Sequence, residues 1–543
     1  MTDKPAKKER LYLFDTTLRD GQQTTGIDFS LDDKITIARM LDDLGVDYVE
    51  GGYPGANPTD TAFFENTRTQ NATFTGFGMT RRPGISMSND PGLKALLDAA
   101  GDAICFVAKS WDYHVDVALK TTLEENLACI QDSVMATLGV GKEPLVDLEH
   151  FFDGYKANPS YALSCAEIAY QSGARWVVLC DTNGGTMPSE IEAIVNVVQD
   201  KVPGDHLGIH PHNDTDQAVA NALAAVHAGV RQIQGTLNGI GERCGNANLT
   251  SLIPTLMLKE PYASQFEIGV SSDQLAKLTN TSRAFDEVLN RAPNRHAPYV
   301  GAAAFATKAG IHASALLKEP ETYEHVPPAT VGNTRRVLVS DQAGKSNLLA
   351  ELGRLGIVVD PKDPRLDDLL AELKEREAAG YSYEGADASL ALLAMGRLGT
   401  IPDYFKVESY KVGVERRFNA IGKEITVSEA VVKINVDGEI LMSVAEGNGP
   451  VNALDKSLRK DLGRYQATIA DLELVDFKVR ILNAGTAAIT RVLIESEDTT
   501  TGDRWYTVGV SENIVDASFQ ALTDSIVTKL MRAEGLMLAP AAE

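Results

Sequence analysis

The feature that most constrains the fold is a regular alternation of apolar strand candidates with helical segments in the first half of the chain. The predicted strands are residues 11–15, 46–50, 72–77, 103–108, 144–149, 175–180, 207–212 and 231–235. Eight strand–helix units spread over about 250 residues are what a (β/α)8 TIM barrel requires. We therefore predict an α/β fold that begins with a TIM barrel, and a doubly wound open sheet is the alternative.

Helix boundary signals lie between these strands. Ser30 is placed to cap a helix that runs to about residue 44, where Gly45 would end it. Further helices are predicted over residues 60–68, 121–138, 158–172, 188–200, 217–227 and 246–258. These segments fit the outer layer of a barrel.

The pattern changes twice after the barrel. Residues 271–400 are mostly helical, with helices predicted at 272–284, 345–355, 365–379 and 386–395. From about residue 404 apolar residues alternate with period two, which indicates strands. Two similar halves follow, in which strands 439–446 and 504–511 lead into helices 452–462 and 516–531. We predict a barrel over residues 1–270, a helical linker over 271–400, and a C-terminal α+β domain with an internal repeat over 401–543.

Composition excludes several classes of protein. The formal net charge is -24 and the pI about 4.9, so neither nucleic acid nor an anionic membrane is an expected partner. No apolar run approaches the ~20 residues of a membrane span, and no apolar segment follows the basic start as in a signal peptide. The five cysteines are scattered and lack C-x-x-C spacing. That usage favours a reduced, cytoplasmic protein without a disulfide framework.

Polar residues gather where the predicted strands end. They are Asp15, Arg19, Asp20, Glu50, Lys109, Glu149, His150, Asp181, Thr182, His210, His212, Thr236, Asn238, Glu242, Arg243 and Asn246. Barrel enzymes place their chemistry at the C-terminal ends of the strands. A purely structural barrel would have no reason to collect so many ionisable groups at one rim, so we predict an active site there.

Two histidines at the end of the seventh predicted strand form a metal-binding pattern. His210 and His212 are one residue apart, so on a strand both imidazoles point the same way. An isolated pair is as often two polar loop residues, but this pair lies between a strand and a helix, where α/β proteins bind ligands. With Asp20 the pair supplies one carboxylate and two imidazoles, and Asn246 could add an amide oxygen. That set suits Mn, Fe, Co or Zn, and Mg less naturally.

Three further rim residues each have a chemical and a structural interpretation. Arg19 could stabilise negative charge on a substrate oxygen, or it could form a rim salt bridge. Glu149 could transfer protons or orient other groups, or it could be a structural partner of Arg19 or Arg243. Thr182 offers a hydroxyl for a substrate carboxylate, although a threonine after a strand is often only a helix cap.

Three motifs point to a known family. They are DTTLRDG at residues 15–21, HPHND at 210–214 and GIGERCGN at 239–246, which follow the order of strands one, seven and eight. Together they resemble the 2-isopropylmalate, homocitrate and citramalate synthase family, one of the metal-dependent aldol barrels that also include hydroxymethylglutaryl-CoA lyase. The resemblance covers nearly the whole chain. The segments EHFFDGYK at 149–156 and EPETYEH at 319–325 look most like the citramalate synthase branch.

The resemblance implies roles for barrel residues. The implied ligands of a divalent metal, either Mn, Mg or Zn, are Asp20, His210, His212 and Asn246. Arg19 would be both catalytic and substrate-binding, because it would stabilise the substrate oxyanion. Glu149 would be a catalytic residue in contact with the 2-oxo acid, which Thr182 would also bind.

The resemblance also implies roles beyond the barrel. His312, in KAGIH at residues 308–312, matches the family histidine that helps to deprotonate the methyl group of acetyl-CoA. Considered alone, it would more commonly be a surface histidine. Tyr323 matches a family tyrosine near the same place and would bind substrate. By this resemblance the helical segment 271–400 would complete the active site.

The implied reaction is a Claisen-type condensation with acetyl-CoA as co-substrate. The acetyl-CoA enolate would attack the keto carbon of a 2-oxo acid, and thioester hydrolysis would release CoA. Branch resemblance favours pyruvate and isoleucine biosynthesis, and 2-oxoisovalerate with leucine biosynthesis is the alternative. Asp147, which shares a strand face with Glu149, would disfavour a dicarboxylate such as 2-oxoglutarate. A lyase that runs the reverse type of cleavage and a non-catalytic amino-acid sensor are the alternatives from other classes.

The family's C-terminal domain dimerises and binds the end-product amino acid. For the citramalate branch this implies a homodimer that isoleucine inhibits allosterically. The turns after Glu446 and Ser511 precede helices, whose backbone N–H groups could bind the carboxylate of the effector. A simple dimerisation module is the alternative interpretation.

Overall fold

The computed structural model describes residues 7–307, 310–337, 345–383, 385–399, 401–418, 420–482 and 488–537. The chain divides into two compact units, which are Met1–Phe305 with Val326–Thr334, and Ala306–His325 with Arg335–Glu543. No helix among the described residues is long and apolar enough to cross a lipid bilayer.

Eight parallel strands close into a barrel in the first unit, which confirms the predicted TIM barrel over the open sheet. They are β1 Tyr12–Asp15, β2 Tyr48–Glu50, β3 Thr73–Met79, β4 Ala103–Lys109, β5 Glu143–Glu149, β6 Trp176–Asp181, β7 Leu207–Pro211 and β8 Gln232–Gly235. Asp15 of β1 pairs with Gly235 of β8, which closes the sheet. Because all strands run the same way, their C-terminal ends form one rim.

Aromatic side chains fill the opposite end of the barrel. Trp176 and Phe14 are buried inside it, and the ring of Tyr48 stacks on Phe14 with centroids 5.5 Å apart. The Tyr48 hydroxyl donates to Glu143 over 2.7 Å and accepts from Trp176 Nε1 over 3.1 Å. The N-terminal end of the barrel interior is thus a packed core.

Helices cover the outside of the barrel, as the sequence predicts. The main ones are Leu31–Leu44, Pro58–Phe63, Pro91–Asp98, Leu123–Gly139, Phe151–Ala157, Pro159–Gln171, Pro188–Val198, Ala218–His227, Leu249–Leu258 and Leu278–Val288. Ser30 caps the first, accepting from the Asp33 N–H, and Gly45 ends it with φ 89°. Both predicted boundaries of this helix are confirmed.

Some predicted helix boundaries are wrong. The helix predicted over residues 60–68 begins at Pro58, capped by Asn57, and ends at Phe63, where the guanidinium of Arg68 donates to the carbonyls of Ala62 and Phe63. The closing helix begins at Leu249 and not at residue 246, since Asn248 caps it and Asn246 pairs with His212 in an isolated bridge.

The longest helical segments of the barrel unit that the sequence analysis does not predict lie in three places. They are Pro91–Asp98, Phe151–Ala157, and a short turn at Asp112–His114 that continues as a π-helix over Val115–Leu119. A signal for the first was present, because Asp90 precedes Pro91 and caps the helix through the N–H groups of Gly92 and Leu93.

The second unit contains helices followed by two similar β-plus-α halves. The helices are Gly310–Lys318, Lys345–Arg354, Arg365–Ala378 and Asp387–Leu398. The first half has strands β9 Lys406–Phe418, β10 Glu424–Val436 and β11 Glu439–Gly447, then helix Pro450–Lys460; the second has β12 Leu472–Ile481, β13 Thr490–Asp498 and β14 Arg504–Ser511, then helix Ile514–Ala533. Each half is a three-stranded antiparallel sheet followed by a helix, which confirms the internal repeat.

Candidate functional site

Three predicted metal ligands meet at the barrel rim. Asp20 Oδ2 lies 3.0 Å from His210 Nε2 and 3.6 Å from His212 Nε2, and the two Nε2 atoms are 3.4 Å apart. All three side chains are buried. His210 lies in β7 and His212 directly follows that strand, so strand alternation points both imidazoles inward. A turn after β1 places Asp20 opposite them. The group can hold one ion between a carboxylate and two imidazoles.

Asn246 completes this cluster from the loop after β8. Its Nδ2 donates to Asp20 Oδ2 over 2.8 Å and lies 3.0 Å from His210 Nε2, and its Oδ1 is buried and has no partner among the residues that the structure describes. Glycines let the loop turn inward, because a Cβ on Gly241 would lie 1.8 Å from Asn246 Oδ1 and Gly245 has φ 91°. An orphaned amide oxygen beside converging imidazole and carboxylate groups fits a divalent cation.

Charge in the cluster also suits a metal site. Burial alone would raise the pKa of Asp20, but the Arg19 charge and the His210 hydrogen bond lower it far below its usual range. Burial and the neighbouring His210 lower the pKa of His212 to about 3. The site therefore offers an ionised carboxylate at Asp20 and a neutral imidazole at His212, which are the forms that bind metal. Burial lowers the pKa of His210, but the hydrogen bond and charge of Asp20 outweigh it and raise that pKa, so His210 would give up a proton when it binds metal.

Arg19 lies beside this cluster and is held on two sides. Its Nε donates to Glu50 Oε2 over 2.7 Å, and one terminal nitrogen lies 3.6 Å from Asp20 Oδ1. The guanidinium also packs over the ring of Phe77, 4.0 Å from its centroid. Burial raises the pKa of Glu50 to about 7, although the Arg19 charge opposes the rise. Arg19 thus presents a fixed positive charge next to the metal ligands.

Glu149 has a different partner from either one predicted for it. Its carboxylate, at the end of β5, pairs with Lys109 at the end of β4. Arg19 pairs with Glu50, and Arg243 pairs with Asp214 over 2.7 Å. The structural alternative that joined Glu149 to Arg19 or Arg243 is wrong, because neighbouring parallel strands place Lys109 directly opposite Glu149.

Thr182 is not a helix cap, since the next helix begins at Pro188 behind Met187. Its Oγ1 accepts a hydrogen bond from the backbone N–H of His150 over 2.8 Å. The hydroxyl proton of Thr182 is then free to be donated to a substrate oxygen. Arg243 donates to the Thr182 carbonyl over 2.7 Å, which ties the loops after β6 and β8 together.

Two predicted site residues lie in the second compact unit. The rings of His312 and Tyr323 stack there, with centroids 4.4 Å apart. Both side chains are exposed. The structure thus brings these two residues together as one aromatic pair. The lysine and alanine that precede the glycine of the KAGIH motif lie outside the described residues.

Other polar rim residues support the loops. Asp15 accepts from the N–H and the hydroxyl of Thr17, each over 2.8 Å. Asp181 accepts from the hydroxyl of Thr186 over 2.8 Å, and Asn238 donates to Asp286 over 3.0 Å. These contacts satisfy buried groups and shape the loops that present the cluster.

Sequence reasoning missed two residues behind the cluster. Gln234 lies within hydrogen-bonding distance of His210, and its amide donates to Asp147, so Asp147 is bonded inside the barrel. Lys34 is fully buried and donates to the carbonyls of Leu18 and Gly51. The signal for Gln234 was present, because Gln232 and Gln234 are two amides at alternate positions of a buried strand.

Family descriptions match three consecutive parts of the chain. The HMGL-like family matches residues 10–281, the homocitrate synthase post-HMGL domain-like family matches 299–380, and the LeuA allosteric (dimerisation) domain matches 384–530.

Curated relatives match nearly the full length. An (R)-citramalate synthase of Aquifex aeolicus is 49% identical, with 97% of this chain and 99% of that protein covered. An (R)-citramalate synthase of Synechocystis sp. is 48% identical, with 96% of each covered. A 2-isopropylmalate synthase of Microcystis aeruginosa is 31% identical over 90% of each.

Proposed function

We propose that this chain, which belongs to the HMGL-like family and matches (R)-citramalate synthases over nearly its full length, condenses acetyl-CoA with pyruvate and water to give (R)-citramalate and CoA. It is an acyltransferase, and a divalent metal would assist the reaction. The observation that supports the chemistry is the convergence of Asp20, His210 and His212 within 3.6 Å, beside the mostly buried guanidinium of Arg19.

Asp20, His210 and His212 would hold the metal ion, and Asn246 would join them through Oδ1. A divalent ion bound there would act as a Lewis acid that polarises the keto group of the 2-oxo acid. Asn246 now directs its Nδ2 at Asp20, so its amide would have to turn to present the oxygen. Mn, Fe, Co and Zn match this mixed nitrogen and oxygen set better than Mg does.

Arg19 would stabilise the negative charge that develops on the keto oxygen during carbon–carbon bond formation. Glu50 and Phe77 restrain its guanidinium, so little reorganisation is needed when that charge appears. Thr182 would donate its hydroxyl proton to the substrate carboxylate, since His150 already donates to its lone pair. These residues orient the electrophile for attack.

Proton removal from the acetyl-CoA methyl group needs a base. We assign this step to His312, directly or through water, with Tyr323 stacked on its ring as a substrate-binding residue. Glu149, paired with Lys109, would orient the 2-oxo acid or accept a proton. The catalytic segment would be residues 1–270, and residues 271–400 would complete the active site.

Pyruvate is the proposed 2-oxo acid because the citramalate synthases are more similar to this chain than the 2-isopropylmalate synthase is. A 2-isopropylmalate synthase that uses 2-oxoisovalerate is the second candidate. A lyase would not need the regulatory segment that is similar to the LeuA allosteric domain. A purely sensory protein would not need a buried metal cluster.

The C-terminal residues 401–543 would dimerise the protein and bind isoleucine as a feedback inhibitor of cytoplasmic isoleucine biosynthesis. The match to the LeuA allosteric (dimerisation) domain supports this role. Isoleucine added to the full-length enzyme should lower its rate, and truncation near residue 400 should abolish that effect. Inhibition that survives truncation would contradict this assignment.

CoA release tests the reaction itself. The metal-loaded protein is assayed with a thiol reagent, acetyl-CoA, and either pyruvate, 2-oxoisovalerate, 2-oxobutyrate or 2-oxoglutarate. We expect the highest kcat/KM with pyruvate. A preference for 2-oxoisovalerate would overturn the substrate but keep the chemistry, and no CoA release with any acid would overturn the proposed function.

A further inference from the structure

His210 is held from behind as well as facing the metal cluster. Its Nδ1 lies 2.6 Å from Gln234 Oε1, and Gln234 Nε2 donates to Asp147 Oδ1 over 2.9 Å. All three side chains are buried inside the barrel. The result is a continuous chain of hydrogen bonds from β5 through β8 to β7, which ends on one proposed metal ligand.

The direction of these bonds follows from the chemistry of their ends. A carboxylate accepts hydrogen bonds and donates none, so Asp147 draws the NH2 group of Gln234 toward itself. The amide oxygen of Gln234 must then face His210, which places the ring proton on Nδ1. Nε2, which lies 3.0 Å from Asp20 Oδ2 and 3.4 Å from His212 Nε2, is then the ring nitrogen that would give up its hydrogen bond to Asp20 and present its lone pair to a metal ion.

The other histidine lacks such support. His212 Nδ1 is buried and has no hydrogen-bond partner within the part of the chain that the structure describes. The two imidazoles therefore differ among the described residues, because the Nδ1 atom of His210 has a hydrogen-bond partner in Gln234 and the Nδ1 atom of His212 has none. Outer partners of this kind fix the tautomer and the ring orientation of metal-binding histidines.

We propose that Gln234 is a positioning residue that fixes the His210 imidazole as a metal ligand, and that Asp147 fixes the orientation of Gln234. The inference rests on the proposed metal site and adds two residues to it. Asp147 then serves the metal site from behind and does not select the substrate through a side-chain pocket.

Metal affinity tests this role without reference to turnover. Metal-free full-length protein is titrated with Mn²⁺ by calorimetry, with free Mn²⁺ checked by electron paramagnetic resonance. Loss of an outer partner typically weakens metal binding about 10–100-fold, and we expect this for Gln234→Leu. Co²⁺ absorption should also change, since the geometry of one ligand is altered.

A matched control lies two residues earlier on the same strand. Gln232 is fully buried, and neither atom of its amide has a partner among the described residues. Gln232→Leu makes the same chemical change in the same barrel interior without touching a ligand. We expect its Mn²⁺ affinity and Co²⁺ spectrum to match the wild type.

A charge-swapped variant distinguishes positioning from packing. Asp147→Asn leaves the Gln234 amide free to turn, so it should weaken metal binding. In the double variant Asp147→Asn/Gln234→Glu, the carboxylate introduced at position 234 accepts from His210 Nδ1. The amide introduced at position 147 donates to that same carboxylate. The double variant has the same net charge as the wild type and should recover near-normal Mn²⁺ affinity.

The outcomes separate this inference from the proposed function. Wild-type affinity in Gln234→Leu, or an equal loss in Gln232→Leu, would overturn the positioning role while the metal site stands. Failure of the double variant to recover would overturn the role of Asp147. A wild-type protein that binds no divalent metal would overturn the metal site and this inference together.

Discussion

Lys34 offers the sharpest test of how the rim is held together. Its side chain is fully buried, forms an ion pair with Asp60, and donates to the carbonyls of Leu18 and Gly51, each over 3.0 Å. Leu18 directly precedes Arg19, and Gly51 directly follows Glu50, which pairs with Arg19. Lys34→Met keeps an unbranched side chain that is one atom shorter, but it removes the charge and all three hydrogen bonds.

The expected cost follows from the groups that are left behind. Without Lys34, the donors that remain to the buried carboxylate of Asp60 among the described residues are the backbone N–H of Tyr53 and the side-chain amide of Asn57, each 3.0 Å away. Removing one partner of a buried ion pair costs about 3–5 kcal/mol, because the other charge remains buried and uncompensated. Lys34→Met/Asp60→Asn has no orphaned charge, so it should cost less than the sum of the two single variants.

The assay must report on the barrel unit alone. Trp111 and Trp176 lie in that unit and Trp505 in the other, so all variants are made in a Trp505→Phe background. Urea unfolding is followed by tryptophan fluorescence, and the free energy of unfolding is obtained by linear extrapolation. The control is Lys94→Met, which breaks an exposed pair with Asp98 and should cost under about 0.5 kcal/mol.

Two results would refute this reasoning. A cost below about 1 kcal/mol for Lys34→Met would mean that the pair contributes no more than a surface salt bridge. A double variant that costs the sum of the single ones would mean that Lys34 and Asp60 act independently. If the reasoning holds, Lys34→Met should also lower kcat, because the two loops that flank Arg19 lose their common donor.

Four further predictions address the site. Arg19→Lys should lower kcat about 10²–10³-fold with little change in metal affinity, because a lysine cannot bond Glu50 and still direct a donor at the oxyanion; an unchanged kcat would contradict this. Thr182→Val should raise the KM for the 2-oxo acid about tenfold and Thr182→Ser should restore it, since a hydrogen bond to a carboxylate is lost and regained; equal KM values in steady-state assays would exclude the contact. Burial raises the pKa of Asp15 from 3.8 to about 7, so between these values the folded protein keeps a proton that the unfolded chain releases. Between pH 3.8 and about 7, the free energy of unfolding of the wild type should therefore fall with rising pH by up to about 1.4 kcal/mol per pH unit more than that of Asp15→Asn. Parallel pH profiles of the two proteins would contradict the raised pKa of Asp15. Mn²⁺ at about 100 times its Kd should raise the unfolding free energy by about 2.7 kcal/mol, measured by urea unfolding, and chelation should reverse it.

The sequence alone determined the series of eight strand–helix units and the location of the chemistry, and barrel closure in the structure then excluded the open sheet. Eight alternating units predict a barrel, because short parallel strands need helical crossovers to bury both faces. Parallel strands also bring their C-terminal ends to one rim, so the residues after each predicted strand could be grouped without coordinates. His210 and His212 follow the two-residue period of a strand, and Asp20 follows the first strand. Each of these inferences depends on local periodicity and chain order.

Only the tertiary structure decided which of these residues contact each other. Arg19 pairs with Glu50, and Glu149 pairs with Lys109, because the register between neighbouring strands sets which side chains are level at the rim. The contacts behind the cluster depend on the barrel interior, where closure brings Gln234 between His210 and Asp147. Strand register and closure result from packing summed over the whole barrel. The hydrophobic period of one segment predicts the direction in which a side chain points. It does not predict which residue of another strand that side chain contacts.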